Sequence, residues 1–205
     1  MKKLIILLFL VSLNVSAFNI NDINFINSEG KEVDLSQIDS EIIFEWSNLE
    51  CPYVKRHYGS NNMQTTQKFA KSKNVIWITV ISSAEGKQGY IQPNDAVNTF
   101  ASFGSFPDHI LVDENGELGK KFNAKTTPHI FIADKNKNIV YQGAIDDAGG
   151  SRFWTTDLNQ STNFVKKVVN DIKSNKPLSV SKTRPYGCSV TVSYTHLRAH
   201  ETEYD

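Results

Sequence analysis

The segment around Cys51 constrains the fold of this chain more than any other segment. An apolar and aromatic run leads into the short loop that carries Cys51, and Pro52 follows at once. Proline is well suited to the first position of a helix, because its missing N–H would be unpaired there in any case. We therefore predict a strand over Glu41 to Trp46, then a helix from Pro52, with Cys51 at the N-terminus of that helix.

This position has a chemical consequence for Cys51. The unpaired backbone N–H groups at the start of a helix, together with the helix dipole, favour a negative charge. A thiolate carries such a charge, and it is the reactive form of cysteine. The sequence therefore indicates an activated thiol and points to redox chemistry. A buried structural thiol is the alternative, and the sequence leaves it open.

The N-terminus has the layout of a secretory signal peptide. Lys2 and Lys3 precede the apolar run Leu4 to Val11, and the small residues Val15 to Ala17 form a cleavage site. The apolar run is shorter than the roughly 20 residues that a membrane-spanning helix needs. We predict a signal peptide over residues 1–17 and an exported protein, periplasmic or secreted, without stable membrane insertion.

Charge and length narrow the class of protein further. Without residues 1–17 the chain keeps 20 basic and 22 acidic residues, a net charge of −2 with no long run of one sign. This balance does not favour binding to nucleic acid. About 188 residues suit a single domain with its own core, and we expect a monomer. The two cysteines allow one bridge, Cys51 to Cys188, and an exported protein can keep it.

Strands and helices alternate along the rest of the chain. Hydrophobic periodicity, turn residues and caps predict them, with Ser60 as the cap of the second helix. Beyond those around Cys51, we predict strands at 74–81, 109–112, 129–133 and 139–144, and helices at 60–72, 94–103, 117–122 and 158–175. The last two strands form a hairpin. This order favours an α/β fold with helices flanking one sheet.

The order of elements resembles the thioredoxin superfamily. Cys51 stands where thioredoxins carry the first cysteine of their CxxC motif, and Glu45, six residues earlier, stands where they carry a buried acidic residue. Thr127 and Pro128 open the hairpin, as the cis-proline loop does in that superfamily. The resemblance implies a thioredoxin-like fold with a central mixed sheet flanked by helices. It also implies that Pro52, Thr127 and Pro128 contact the substrate.

A narrower resemblance is to an exported, peroxiredoxin-like branch of redoxins with a Cys-Pro-Tyr-Val site. It covers residues 18–190, which we predict to be one redoxin domain. The spacing between Cys51 and Pro128 leaves room for a peroxiredoxin-type insertion between the cysteine helix and the cis-proline loop. The motifs that carry it are Glu45-Trp46, Asn48, Cys51 to Lys55, His57-Tyr58, Thr127 to His129, Gly143 to Asp147 and Pro185 to Val190.

Two departures from known families limit what this resemblance implies. There is no CxxC motif, because the fourth position is Val54. The Pro-x-x-x-Thr/Ser-x-x-Cys motif of peroxiredoxins is absent as well, since Phe44 and Asn48 stand at its first two key positions. Peroxidase activity, with Cys51 oxidised to a sulfenic acid, is therefore an alternative and is not implied by the resemblance.

The leading hypothesis is a thiol–disulfide oxidoreductase of the redoxin type. Cys51 is the nucleophile that attacks a disulfide or an oxidised thiol, and Cys188 or an external thiol resolves the mixed disulfide. Glu45 either exchanges protons with Cys51, directly or through water, or is a strand residue facing solvent or a salt-bridge partner. Protein thiols and disulfides, a small thiol or a peroxide are the expected partners. We expect no cofactor and no metal site.

A non-catalytic binding module is the alternative from another class. In it, the bridge from Cys51 to Cys188 is a structural cross-link that pins the C-terminal segment. Such a bridge closes a long loop and stabilises the fold by roughly 4–5 kcal/mol in the chain-entropy model. The two roles differ in strain and exposure, which the sequence does not show.

The C-terminus departs from the pattern of the redoxins. The run Val192 to Thr202 resembles translated sequencing-adapter read-through rather than the apolar ending that we expect. We therefore predict that residues 191–205 are a non-native tail, and we exclude them from the interpretation of the fold.

Overall fold

The computed structural model describes residues 19–149 and 153–191. The predicted signal peptide and residues 192–205 of the predicted tail lie outside this range. A mixed sheet of five strands forms the centre. From edge to edge the strands are β5 (His109–Val112), β4 (Ile76–Ile81), β3 (Ile42–Trp46), β7 (His129–Ala133) and β8 (Ile139–Gly143), so that β3 is the middle strand. Strand β3 is parallel to β4 and antiparallel to β7.

Helices cover both faces of this sheet, as predicted for an α/β fold. Two small antiparallel pairs complete the structure. The helices are α1 (Pro52–Gly59), α2 (Asn62–Ser72), α3 (Pro93–Ser102), α4 (Glu117–Phe122) and α5 (Phe164–Lys173). The pairs are β1 (Asn24–Ile26) with β2 (Glu32–Asp34), and β6 (Thr126–Thr127) with β9 (Cys188–Ser189). No helix among the described residues is long and apolar enough to cross a membrane.

Two predicted helix starts are wrong, and local capping explains both. Ser60 does not cap the second helix; its hydroxyl donates to the carbonyl of His57 (3.2 Å) at the end of α1. Asn61, in the left-handed conformation, precedes α2 instead. The predicted helix 158–175 begins only at Phe164, because the side chain of Asn163 accepts a hydrogen bond from the backbone of Lys166 (2.9 Å) and forms the cap.

Strand β3 is buried along its whole length and divides the core into two parts. Side chains alternate across a strand, so Ile43 and Glu45 face the layer that contains α1, α2, α3 and α5. Phe44 and Trp46 face the opposite layer, which contains α4 and the N-terminal segment. The loop that follows β3 leads directly to Cys51, so both core layers support the position of that cysteine.

A pair of isoleucines in the β7–β8 hairpin tests this description of the core. Ile132 is fully buried, whereas Ile139 is 39% exposed. We expect Ile132→Ala to lower the free energy of unfolding by about 2–5 kcal/mol, because it removes packed methylene groups and leaves a cavity. Ile139→Ala should cost about 0.5 kcal/mol or less. Urea denaturation of both variants measures the difference, and equal losses would contradict the placement of Ile132 in the core.

Candidate active site

Cys51 lies at the N-terminus of α1, as predicted. It is the residue that precedes the helix, its backbone is extended, and Pro52 occupies the first helical turn. The backbone N–H of Cys51 donates to the carbonyl of Asn48 (2.9 Å), and its own carbonyl accepts from Lys55 (2.8 Å). The side chain of Cys51 is fully buried, whereas Pro52 is exposed. The loop and the helix therefore hold the sulfur in one place, out of reach of solvent.

The loop at Thr127 and Pro128 contacts Cys51 directly. The peptide bond between these two residues is cis. The thiol of Cys51 donates a hydrogen bond to the carbonyl oxygen of Thr127 (3.2 Å). Residues far apart in the sequence thus meet as the resemblance implies, with the backbone of Thr127 beside the proposed nucleophile.

Cys188 completes this group from the C-terminal side. Strands β6 and β9 pair antiparallel with Thr127 opposite Cys188, and Cys188 is hydrogen-bonded to Cys51. Burial raises the pKa of the Cys188 thiol to about 12, and the hydrogen bond and negative charge of Cys51 add to the increase. The backbone N–H of Tyr53 opposes it more weakly. The structure therefore brings together the two cysteines that the sequence could only list as a possible pair.

Glu45 is buried inside the sheet, which excludes the interpretation that it faces solvent. Burial raises the pKa of its carboxyl group above the ordinary value of 4.5, although nearby donors oppose this. Its hydrogen-bond donors are the hydroxyl groups of Tyr58 (3.1 Å) and Thr79 (3.2 Å), the indole of Trp77 (2.9 Å) and the amide of Gln67 (3.3 Å). Among the described residues these are neutral groups, so the carboxyl has no salt bridge. Cys51 is not one of the donors.

A second buried polar network, which the sequence analysis did not assign, anchors the segment before Cys188. The hydroxyl of Tyr186 donates to Asp146 and lies 3.1 Å from Nε2 of His57. The amide of Asn62 contacts both Oδ2 of Asp146 (2.8 Å) and Nδ1 of His57 (3.0 Å). Burial lowers the pKa of His57 to about 3 and raises that of Asp146. The histidine is therefore neutral, and His57 and Asp146 do not form an ion pair.

These network residues do occur in the motifs that suggested the family. His57, Asp146 and Tyr186 belong to three different segments of the sequence, and no spacing rule links them. The only signal available was that each lies in a motif that resembles the same branch of redoxins. Their common function, to hold the C-terminal segment against α1, becomes visible only when the three segments are brought together.

The loop between β4 and α3 packs against the loop that carries Cys51. The side chain of Asn48 accepts from the backbone of Glu50 (2.8 Å) and donates to the carbonyl of Gln88 (3.3 Å). Gly89 has a positive φ of 82°, and a Cβ atom there would lie 2.2 Å from the side chain of Asn48. Only glycine therefore fits this position. Asn48, which stands where peroxiredoxins carry Thr or Ser, here joins the two loops.

The burial of Glu45 makes a prediction about pH. Because its pKa is raised on folding, the stability that this carboxyl contributes is greatest below the ordinary value of 4.5 and is lost as pH rises towards the folded-state pKa. We expect the stability of the wild type minus that of Glu45→Gln to fall with rising pH above about 4.5, by up to about 1.4 kcal/mol per pH unit.

Urea denaturation of both proteins between about pH 4 and pH 8 measures this difference. The buried histidines are present in both proteins, so their titration cancels in the comparison. A difference that stays constant or rises with pH would contradict the raised pKa of Glu45.

Comparisons with known proteins agree with this architecture. The Redoxin family model matches residues 16–153. A hypothetical protein from Sinorhizobium meliloti 1021 is 16% identical, with a TM-score of 0.70 over 86% of this chain and 94% of that chain. An uncharacterized conserved protein from Geobacillus kaustophilus is 20% identical, with a TM-score of 0.66 over 84% of this chain and 85% of that chain.

A thioredoxin-like protein from Aeropyrum pernix is 18% identical, with a TM-score of 0.49 over 65% of this chain and 89% of that chain. No curated protein is similar enough to the chain to count as a relative. The Redoxin match, together with the central five-stranded mixed sheet, confirms the predicted thioredoxin-like α/β fold.

Proposed function

The chain belongs to the Redoxin family, and from this premise we propose that it is an exported thiol–disulfide oxidoreductase with Cys51 as its nucleophile. The observation that carries the proposal is the position of Cys51. Its sulfur lies at the N-terminus of α1 and is hydrogen-bonded both to the backbone of Thr127 and to Cys188.

Each of these contacts has a function in disulfide exchange. The start of α1 can stabilise the negative charge that develops on the sulfur of Cys51 during exchange, because unpaired N–H groups and the helix dipole lie there. Cys188 supplies the second sulfur that a reversible bridge requires. The raised pKa of the Cys188 thiol keeps the proton on this partner of Cys51. The bridge between them can then open and close without an external cofactor.

Glu45 has a supporting function in this proposal. Its carboxyl group accepts hydrogen bonds from Tyr58 and Trp77, in the same core layer that holds Cys51. Burial raises the pKa of this carboxyl group, so it holds a proton to higher pH than an exposed glutamate and can donate it. We propose that it exchanges protons with the cysteine pair through water rather than by direct contact.

A redox titration tests this function. The mature protein is equilibrated in glutathione buffers of increasing potential, and the Cys51–Cys188 bridge is quantified by mass spectrometry. A reversible, catalytic pair should open at a potential above about −300 mV. A bridge that resists reduction below that value would support the structural cross-link and contradict the proposal.

Variants of the two cysteines separate catalysis from structure. Cys51→Ser should abolish disulfide exchange with a small-molecule disulfide, because the nucleophile is lost. Cys188→Ser should reduce the exchange and leave mixed disulfides unresolved. Urea denaturation of both variants under reducing conditions is the control, since loss of a thiol at an intact site should change stability by no more than about 1–2 kcal/mol. Full activity in Cys51→Ser would contradict the assignment of the nucleophile.

A peroxidase is the alternative enzyme, and the rate at which peroxide consumes the Cys51 thiol of the wild type tests it. If Cys51 reduces peroxides, the wild type should lose its Cys51 thiol to peroxide much faster than free cysteine does. A rate no faster than that of free cysteine excludes this alternative. The departure of Phe44 and Asn48 from the peroxiredoxin motif leads us to expect the slow rate.

A further inference from the structure

The C-terminal arm, which we define as residues 181–190, occupies the strand edge beside Cys51. Thr127 pairs with Cys188, and Thr126 pairs with Ser189, in an antiparallel register. Gly187 packs directly on this edge, where a Cβ atom would lie 2.0 Å from the carbonyl oxygen of Thr127. An extended polypeptide binds to such an edge by adding a strand. Here the arm already takes the place of that strand.

Contacts on both sides of Cys188 anchor the arm. Before it, the hydroxyl of Thr183 accepts from the backbone of Ala144 (2.9 Å), and Tyr186 reaches the buried carboxyl group of Asp146. After it, the backbone of Val190 donates to the carbonyl of Lys125 (3.2 Å). The arm is therefore held in place across the start of α1.

The two sulfurs differ in their exposure to solvent because of the arm. Cys51 is fully buried beneath it, whereas Cys188 is half-buried. A cleft of about 630 Å³ opens beside the pair and is lined by Tyr53, Thr126 and Gly187, among others. Tyr53 adjoins Cys188 through its backbone N–H, Gly187 is the preceding residue, and Thr126 pairs with the following residue, Ser189. The cleft is therefore lined by residues that flank Cys188.

We propose that the Cys51–Cys188 bridge is reduced by a small external thiol rather than by an extended polypeptide, and that this thiol attacks Cys188 and not Cys51. This inference rests on the proposed function and specifies its substrate class. The arm excludes a polypeptide from the edge at Thr127, while the cleft admits a molecule of about the size of glutathione.

The bridge is reduced in two steps. An external thiolate attacks the sulfur of Cys188 in the Cys51–Cys188 bridge, a new disulfide forms between them, and Cys51 leaves as a thiolate at the N-terminus of α1. A second external thiol then attacks the sulfur of its own kind in the mixed disulfide. The products are the external disulfide and the Cys188 thiol, with one proton bound by each cysteine. Two electrons pass from the two external thiols to the bridge.

The choice of sulfur also agrees with leaving-group chemistry. The thiolate of lower pKa leaves faster in disulfide exchange. The pKa of Cys188 is raised by burial and by the neighbouring Cys51, so Cys188 leaves slowly when the bridge is attacked, and it also leaves slowly from the mixed disulfide in the second step. Exposure and leaving-group ability therefore favour attack at the same atom.

A trapping experiment locates the mixed disulfide. The oxidised wild-type chain is mixed with a limiting amount of glutathione and quenched in acid within seconds, and the glutathione adduct is mapped by mass spectrometry. We expect the adduct on Cys188, with Cys51 as a free thiol. An adduct on Cys51 would overturn this inference and leave the proposed function intact. A wild-type chain that forms no bridge at all would overturn both.

A second measurement decides the matter if the adduct does not accumulate. In the Cys188→Ser variant the arm stays in place, so glutathione disulfide should modify the buried Cys51 slowly. Adding Tyr186→Phe removes the hydrogen bonds of Tyr186 to Asp146 and His57 and should accelerate the modification by about tenfold or more. Adding Tyr90→Phe instead, a tyrosine bonded to Glu114 on the surface, should change nothing.

Equal rates in all three variants, each close to that of an unstructured cysteine peptide, would overturn the inference, because the arm would then not shield Cys51. Urea denaturation checks that the three proteins are folded. If Tyr186→Phe unfolds the chain, Thr183→Val loosens the same arm at another anchor and replaces it in the comparison.

Discussion

The site depends on the backbone of one residue, Thr127. Its carbonyl oxygen accepts the hydrogen bond of the Cys51 thiol, and its strand edge pairs with Cys188. A short backbone segment therefore sets the positions of both sulfurs at once. Because backbone atoms are held by the strands on either side, the geometry of the pair does not rely on flexible side chains. Strand β7, which follows immediately, is buried along its whole length and makes this segment rigid.

The second constraint is the placement of polar groups inside the core. Glu45, Asp146 and His57 are buried, and the half-buried Tyr186 contacts Asp146 and His57. Buried polar groups are costly unless they are hydrogen-bonded, and here each has several partners. The first network lies beneath the cysteine helix, and the second ties the C-terminal arm to that helix. One polar cluster thus supports the cysteine helix from inside the core, and the other holds the C-terminal arm against that helix.

The C-terminal arm changes the access to the site from what the resemblance implies. The resemblance to thioredoxins implies that Thr127 and Pro128, at the strand edge beside Cys51, contact the substrate. In this chain the edge is filled by residues of the same molecule, because Gly187 permits an approach that any side chain would block. The accessible sulfur is consequently the one carried by the arm.

Local patterns predicted most of the secondary structure. The strands at 109–112 and 129–133 and the helix at 117–122 have the bounds predicted for them, since each is a compact apolar run between clear turn residues. The errors occurred at caps: Ser60 ends a helix rather than starting one, and Asn163 starts the last helix later than its periodicity suggested. Several residues near each boundary could serve as caps, and which of them does so depends on contacts from elsewhere in the chain.

The sequence by itself determined the position of Cys51 between a buried strand and a proline-initiated helix, because both elements are encoded by neighbouring residues. It also determined that Glu45 lies on that strand, but not which way its carboxyl faces. Only the tertiary structure decided that Glu45 is buried, that Cys188 meets Cys51 and that Tyr186 anchors the arm. Those contacts join segments far apart in the sequence, and no local spacing or periodicity records a distance across the fold.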